Sequence, residues 1–110
     1  MNNEIKPLSL RFASLPSTQK AAVLVTAAFN LTIEFRGLRD LQDRDARKMG
    51  DALNELQHKL LSQALSESVG RARYPDDVLF AILDEIADTN GVQGYAASAL
   101  VSAIEQSEKG

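Results

Sequence analysis

The sequence contains no cysteine and no tryptophan, and only one of its 110 residues is a histidine. Without cysteine, the chain has no disulfide, no thiolate nucleophile and no cysteine-ligated metal site. One histidine is too few for a metal centre built from several histidines, although carboxylates alone can hold Mg²⁺ or Ca²⁺. We therefore assign no catalytic residue, no metal site and no cofactor.

Long hydrophobic runs are also missing. The longest stretch without a charged residue is 21–33, which is 13 residues long, whereas a helix that crosses a bilayer needs about 20 apolar residues. The N-terminal residues lack the basic and then apolar pattern of a signal peptide. We therefore expect a cytoplasmic protein without a membrane segment, in which 21–33 belongs to a buried helix.

The chain is too short for a large catalytic fold. With 110 residues, a hydrophobic fraction of 45% and a charged fraction of 25%, it has the composition of one folded domain that spans residues 1–110. A TIM barrel or a complete dinucleotide-binding domain needs far more chain.

The net charge of −3 is unevenly distributed along the chain. Residues 1–73 carry a net charge of +3, and residues 74–110 carry a net charge of −6. The acidic part argues against a surface that wraps nucleic acid. It is typical of a solvated acidic face, and it also permits charge pairing between the two parts, within one molecule or across an oligomer.

Residues 1–16 are predicted to form an extended N-terminal arm. Between Pro7 and Pro16, the apolar residues Leu8, Leu10 and Phe12 alternate with other residues. Alternation with a period of two is typical of a strand. We expect the arm to lay these three side chains on a neighbouring element, as an edge strand or a partly mobile segment.

The first long helix is expected from about residue 18 to residue 35 or 38, with Gly37 near its end. Ser17 can accept hydrogen bonds from the free amides of the first turn. Apolar residues surround this helix instead of forming a stripe, which predicts a central place in the core. β-branched residues and the alternation of 31–35 leave a strand as the alternative for that segment.

A second long helix is predicted to begin between Leu41 and Asp43 and to continue to about Val69. Opposite charges four residues apart support its start, and Gly70 stands where a left-handed residue commonly ends a helix. Its length of about 40 Å is large for a chain whose globule has a radius of gyration of about 13 Å. It should therefore protrude, bend near Gly50 or pack along a partner.

Two shorter helices are predicted in the acidic part. Pro75, Asp76 and Asp77 mark the start of the first, which runs to about Asp88. Its expected buried arc is Val78, Leu79, Ile82, Leu83 and Ile86, and its acidic face is Asp77, Asp84, Glu85 and Asp88. After a turn at Asn90 and Gly91, the last helix covers about 92–106, and 107–110 should fray. The predicted fold class is all-α, a four-helix bundle-like domain with an extended arm.

The second long helix carries apolar residues on two sides. Met49, Leu53, Leu56, Leu60 and Ala64 form a core stripe, and a second row lies roughly opposite: Asn54, His58, Leu61, Leu65 and Val69. A simple surface helix is polar on its outer side, so both rows should be covered. Either a second subunit covers the second row, which favours a homodimer, or the other helices of the same chain do.

His58 is the single histidine of the sequence, and a histidine can act as a phosphoacceptor, a base or a charge switch. Either it is a surface or interface histidine hydrogen-bonded to Asn54 or Glu55, or it is functional. The segment Glu55-Leu56-Gln57-His58-Lys59-Leu60 resembles the phosphoacceptor helix of one group of bacterial sensor histidine kinases, which reads Glu-Leu-x-His-Arg and then an aliphatic residue. The resemblance implies that His58 is a phosphoacceptor and Glu55 its helper acid or base.

The architecture is also compatible with histidine phosphotransfer domains, which are four-helix bundles of about this size. Those domains usually place Lys three residues and Gly four residues after the histidine. Here the two positions are Leu61 and Ser62, and the chain has no nucleotide-binding domain. A phosphotransfer intermediate therefore requires His58 to be exposed, with free space in front of its ring.

Two further sets of residues have an interpretation: 54–60 with 74–80, and 71–74. Residues 54–60 together with 74–80 resemble short uncharacterised bacterial helical proteins, a resemblance that implies no activity. Arg71, Arg73 and Tyr74 precede a helix start and could bind a phosphate, but Asp76 and Asp77 occupy the same end and would repel it.

We therefore predict a small bacterial-type protein that acts as a non-enzymatic protein-binding or regulatory module. Its contacts should use the second row of the long helix and the acidic face, and its partner should be a second copy of the chain or another protein. A histidine phosphotransfer intermediate is the alternative function.

Overall fold

The computed structural model describes residue 5 and residues 7–39 and 44–109. In this part of the chain the regular elements are all helices, so the all-α prediction is confirmed and the strand alternative for 31–35 is wrong. The elements are α1 (Leu8–Ala13), α2 (Ser17–Arg39), α3 (Arg44–Ser68), α4 (Asp76–Asn90) and α5 (Gln93–Lys109). The predicted start of the second long helix at 41–43 lies outside the described residues.

The four long helices pack in a closed order: α2 on α3, α3 on α4, α4 on α5, and α5 back on α2. This arrangement is compatible with the predicted four-helix bundle-like fold. The short helix α1 covers one side of the bundle, where it packs on α4 and α5.

The expectation that residues 8–13 are extended is wrong, because they form α1. In a helix, residues two apart point in different directions. Phe12 is therefore fully buried, whereas Leu10 is 77% exposed. The Phe12 ring lies 5.1 Å from the Phe80 ring of α4, centroid to centroid, and this contact docks α1 on the bundle.

The antiparallel pair α2 and α3 sets the length of the molecule. α3 has 25 residues and α2 has 23, so both span about 35 Å or a little more. The molecule measures 41 × 28 × 25 Å with a radius of gyration of 13.2 Å. The long helix therefore fits within one chain alongside α2, and its length does not require a partner. α3 continues through Gly50 without interruption, as α2 does through Gly37.

The predicted core stripe of α3 is confirmed. Leu53, Leu56, Leu60 and Ala64 are at most 5% exposed, and Met49 packs at the edge of the same core. α2 contributes the buried residues Val23, Leu24, Ala27, Ala28 and Leu31.

The prediction that α2 is buried on all sides is wrong. Val25, Phe29 and Ile33 are 49%, 65% and 57% exposed. Among the described helices, only α3 and α5 pack closely along α2, and the side of α2 that faces neither of them is open. None of the helices in the described part of the chain has both the length and the apolar character needed to cross a membrane.

Glycines in the left-handed region end two helices, as predicted. Gly70 has a φ of 75° and follows α3, and Gly91 has a φ of 70° and follows α4. The amide of Arg71 donates to the carbonyl of Ser66, which closes the end of α3. Pro75 immediately precedes α4, so it lies one position before the first turn in which it was expected.

The buried side of α4 differs from the predicted arc. Leu79 and Leu83 are buried as expected, but Val78 is 41% exposed and Phe80 is fully buried. Phe80 faces inward because α1 covers that side of α4 and brings Phe12 to it. Ile82 and Ile86 are only partly buried.

α5 buries mostly small residues, and it extends further than predicted. Its buried residues are Ala96, Ala97, Ala99, Leu100, Ala103 and Ile104. The expectation that 107–109 fray is wrong, because α5 continues to Lys109. The hydroxyl of Ser107 lies 3.3 Å from Oε1 of Gln19, and Glu108 pairs with Arg11. Gly110 lies outside the described residues.

Within the described residues, two ion pairs join the basic and acidic parts of the chain. Arg11 Nη2 lies 2.8 Å from Glu108 Oε1, and Lys20 Nζ lies 2.9 Å from Asp76 Oδ2. The hydrogen bond to Glu108 raises the pKa of Arg11 above its usual value. Lys20 also lies 5.8 Å from the centre of the Phe12 ring. The predicted charge pairing thus occurs within one molecule.

We expect Phe80→Ala to lower the free energy of unfolding by about 3–5 kcal/mol, because it opens a cavity beneath α1. Leu10→Ala on the outside of α1 is the control and should change it by less than about 0.5 kcal/mol. Urea denaturation followed by circular dichroism measures both. Equal losses for the two variants would contradict the packing of α1 on Phe80.

Candidate interaction surface

The second row of α3 is exposed along its whole length. Asn54, His58, Leu61, Leu65 and Val69 all face solvent, with exposed fractions of 42%, 72% and 68% for Leu61, Leu65 and Val69. The other described helices therefore leave this row uncovered. The sequence allowed this row to be covered either by a second subunit or by other helices of the same chain. In the structure, the described helices of the same chain do not cover it.

A second row of exposed apolar residues lies on α2, and its exposure was not predicted from the sequence. Ala22, Val25, Phe29 and Ile33 follow one another at spacings of three and four, so they share one side of the helix. The signal that could have found them is the absence of any charged residue between Lys20 and Glu34. An apolar pattern on all sides of a helix does not reveal which side is left open.

These two rows are neighbours because α2 and α3 pack side by side, in antiparallel directions. Gln57 of α3 donates a short hydrogen bond to the hydroxyl of Thr32 in the C-terminal half of α2, and Leu65 lies beside Ala22 near the start of α2. We call the surface made by Ala22, Val25, Phe29, Ile33, Leu61 and Leu65 the α2–α3 face.

A groove runs between the two helices within the α2–α3 face. Its volume is about 540 Å³, and its lining consists of Ala21, Ala22, Val25, Thr26, Leu61, Ala64, Leu65 and Ser68. None of these residues is charged. The three alanines have the shortest side chains of the lining, so they leave room for an apolar group from outside. Contiguous exposed apolar surface of this kind marks an interaction site more often than isolated apolar residues do.

His58 borders a second depression, which has a volume of about 500 Å³. α3 contributes Asp51, Asn54, Glu55, His58, Lys59 and Ser62 to its lining, and the segment after α3 contributes Arg73 and Tyr74. His58 and Glu55 are both exposed. The lining combines two acidic residues with two basic residues and the histidine.

Gln63 fixes the segment that closes this depression. Its side chain is fully buried, its Nε2 donates to the carbonyl of Tyr74 at 2.8 Å, and its Oε1 accepts from the amide of Tyr74 at 3.1 Å. Next to Tyr74, the Arg73 guanidinium lies 5.6 Å from the Tyr74 ring centre and donates to the hydroxyl of Ser62 at 3.3 Å. The buried side-chain amide of Gln63 thus holds the backbone of Tyr74, and this places the neighbouring guanidinium of Arg73 beside α3.

In the sequence, Arg71, Arg73 and Tyr74 stand together before the start of α4, where they could bind an anion. The structure brings Arg73 and Tyr74 to the His58 depression instead, whereas Arg71 is exposed and does not line it. Asp76 at the start of α4 is engaged by Lys20. The sequence gives no signal for this arrangement because it depends on Gln63, a polar residue buried eleven positions before Tyr74.

The acidic residues of α4 do not converge on a point. Asp77, Glu85 and Asp88 are exposed and Asp84 is half-buried. Asp88 accepts a short hydrogen bond from Gln93. Within residues 5, 7–39 and 44–109, no three acidic or histidine side chains come together in a way that could hold a metal ion.

Comparison with known protein families, with curated proteins and with solved structures finds no match for this chain. The resemblance of residues 55–60 to a kinase phosphoacceptor helix stays a prediction, as does that of residues 54–60 and 74–80 to short bacterial helical proteins. The surface geometry is therefore the basis for any functional proposal.

We expect Gln63→Leu to lower the free energy of unfolding by about 2–3 kcal/mol, because the amide and carbonyl of Tyr74 lose their partner in a buried place. Gln106→Leu, at an exposed position of α5, is the matched control and should have little effect. Hydrogen exchange should also show faster exchange of the Tyr74 amide. An equally protected Tyr74 amide in Gln63→Leu would show that Gln63 does not hold this segment.

Proposed function

We propose that this protein is a non-enzymatic protein-binding module and that the α2–α3 face is its contact surface. The observation that carries the proposal is the exposure of large apolar side chains in two adjacent rows, with Phe29 at 65% and Leu65 at 72%. Single exposed apolar residues are ordinary in folded proteins. Here Ala22 and Val25 of one row and Leu61 and Leu65 of the other border one uncharged groove, and exposed apolar surface of this kind marks an interaction site.

The physical gain from covering this surface is the hydrophobic effect. Burial of apolar area is favourable by about 25 cal/mol per Å², and aromatic residues such as Phe29 commonly anchor protein interfaces. The exposed acids of α4, Asp77, Glu85 and Asp88, offer a second, charged contact. Such charges increase the rate at which a partner of opposite charge associates.

We expect Leu65→Asp to abolish binding, because it places a carboxylate at the edge of the apolar groove, where a partner would have to strip its water. Leu10→Asp is the control, since Leu10 is equally exposed but lies on α1, away from the α2–α3 face. The measurements are the mass in solution and the proteins retained by a tagged chain in extract of its own organism.

Leu61→Asp is a second variant at the same groove, and its effect should match that of Leu65→Asp. Circular dichroism establishes that all variants are folded. Folded Leu65→Asp and Leu61→Asp proteins that keep the wild-type mass and the wild-type partners would refute the α2–α3 face as a binding surface.

A second candidate function is histidine phosphotransfer through His58. The observation in its favour is that His58 is exposed and borders a depression that Lys59 and Arg73 also line. The two cations would offset the charge of a phosphoryl group. In the transfer, a ring nitrogen of His58 forms a P–N bond while the bond from phosphorus to the donor breaks, and Glu55 accepts the proton that the imidazole loses.

We expect phosphoramidate, which transfers its phosphoryl group to histidine and releases ammonia, to add one acid-labile phosphoryl group to the protein. His58→Gln should stay unmodified, and Arg73→Gln should react more slowly because it removes a charge from the depression. Mass spectrometry before and after acid treatment measures the product. A wild-type chain that gains no phosphoryl group under these conditions would exclude the phosphotransfer function.

A further inference from the structure

We propose that the occupant of the α2–α3 face is a second copy of this chain, related by two-fold symmetry, so that Phe29 of each copy enters the alanine-lined groove of the other. This inference rests on the proposed binding function and names its partner. Three observations carry it: the charge of the face, its shape and its register.

The α2–α3 face is uncharged, and that favours self-association. In a two-fold dimer each residue near the axis meets its own counterpart or a close neighbour of it. A charged residue at the centre would therefore face a like charge, which is unfavourable. No residue of α2 between Lys20 and Glu34 is charged, and the groove lining contains no charged residue. Two copies can meet here without opposing like charges.

The shape of the face is complementary to itself. Phe29 projects from α2 with 65% of its area exposed, and the groove beside Ala22 offers a volume of about 540 Å³. Residues 22 and 29 are seven positions apart, so they lie on the same side of α2 and about 10 Å from each other along its axis. A projecting aromatic ring and an apolar hollow thus occupy one surface.

If the two-fold axis passes midway between Phe29 and Ala22 of one copy, Phe29 of each copy meets the hollow beside Ala22 of the other. The two α2 helices then run in opposite directions across the interface, with Val25 level with Thr26 of the other copy. Ile33 comes level with Thr18, which is exposed and uncharged. The register therefore brings uncharged residues together along the α2 contact.

The test is the mass of the full chain in solution, measured by sedimentation equilibrium over a range of concentrations. We expect the wild type to be a dimer. Phe29→Asp should raise the dissociation constant by about thirtyfold or more, as the loss of an aromatic anchor does. Leu10→Asp, which changes an equally exposed apolar residue on α1, should leave the dissociation constant unchanged.

A mixing experiment tests the reciprocal contact directly. Phe29→Ala removes the projecting ring, and Ala22→Trp fills the hollow at an exposed position; each variant loses both contacts of its own dimer. A mixed dimer keeps one contact, because the intact Phe29 of the Ala22→Trp copy can enter the intact hollow of the Phe29→Ala copy. We therefore expect the mixture to associate more tightly than either variant alone.

Three outcomes would overturn the proposal: a wild type that is monomeric throughout, a folded Phe29→Asp protein that dimerises like the wild type, or a mixture no tighter than its components. A monomeric wild type would refute self-association alone, since retention of another protein by the wild type but not by Leu65→Asp would still support the binding function. Loss of that difference in retention as well would refute both.

Discussion

The packing of α2 against α3 is the contact on which the rest of the structure depends. The two helices are the longest of the chain and lie antiparallel, and the side of α3 that carries Leu53, Leu56 and Leu60 is buried in the core. α4 then packs on α3 and α5 on α2, so the acidic part of the chain completes a scaffold that the basic part begins. α1 is held by this second pair through Phe12 and Arg11.

That scaffold also determines which surface is left for binding. α2 has two neighbours along its length and an apolar sequence on every side, so its third side reaches solvent as the row that contains Phe29. α3 leaves Leu61 and Leu65 open next to it for the same reason. The binding surface and the core are therefore two sides of one helix pair, and a change in the angle between α2 and α3 would alter both.

Local signals in the sequence predicted the parts of the fold that depend on local chemistry. Gly70 and Gly91 end helices where left-handed backbone is needed, Pro75 precedes a helix start, and the spacing of Leu53, Leu56 and Leu60 gave the core side of α3. The alternation of Leu8, Leu10 and Phe12 misled, because Phe12 is placed by Phe80, far away in the sequence. The second row on α3 was predicted, with its cover left open between a second subunit and the same chain, but the exposure of Phe29 and the role of Gln63 were not predicted. Whether Phe29 or Gln63 faces solvent or the core depends on how the other helices pack against it. The local sequence pattern does not contain that information.

The ion pair between Arg11 and Glu108 joins residues 97 positions apart, and this separation has a consequence for the order of events during synthesis. Of the five helices, α1 is synthesised before the others, yet it packs on α4 and α5, which are synthesised after α2 and α3. The hairpin of α2 and α3 can close early because its contacts are near in sequence, and loop closure over short distances costs less entropy. α1 can therefore dock only after α4 and α5 have been synthesised, although it precedes all four long helices in the chain.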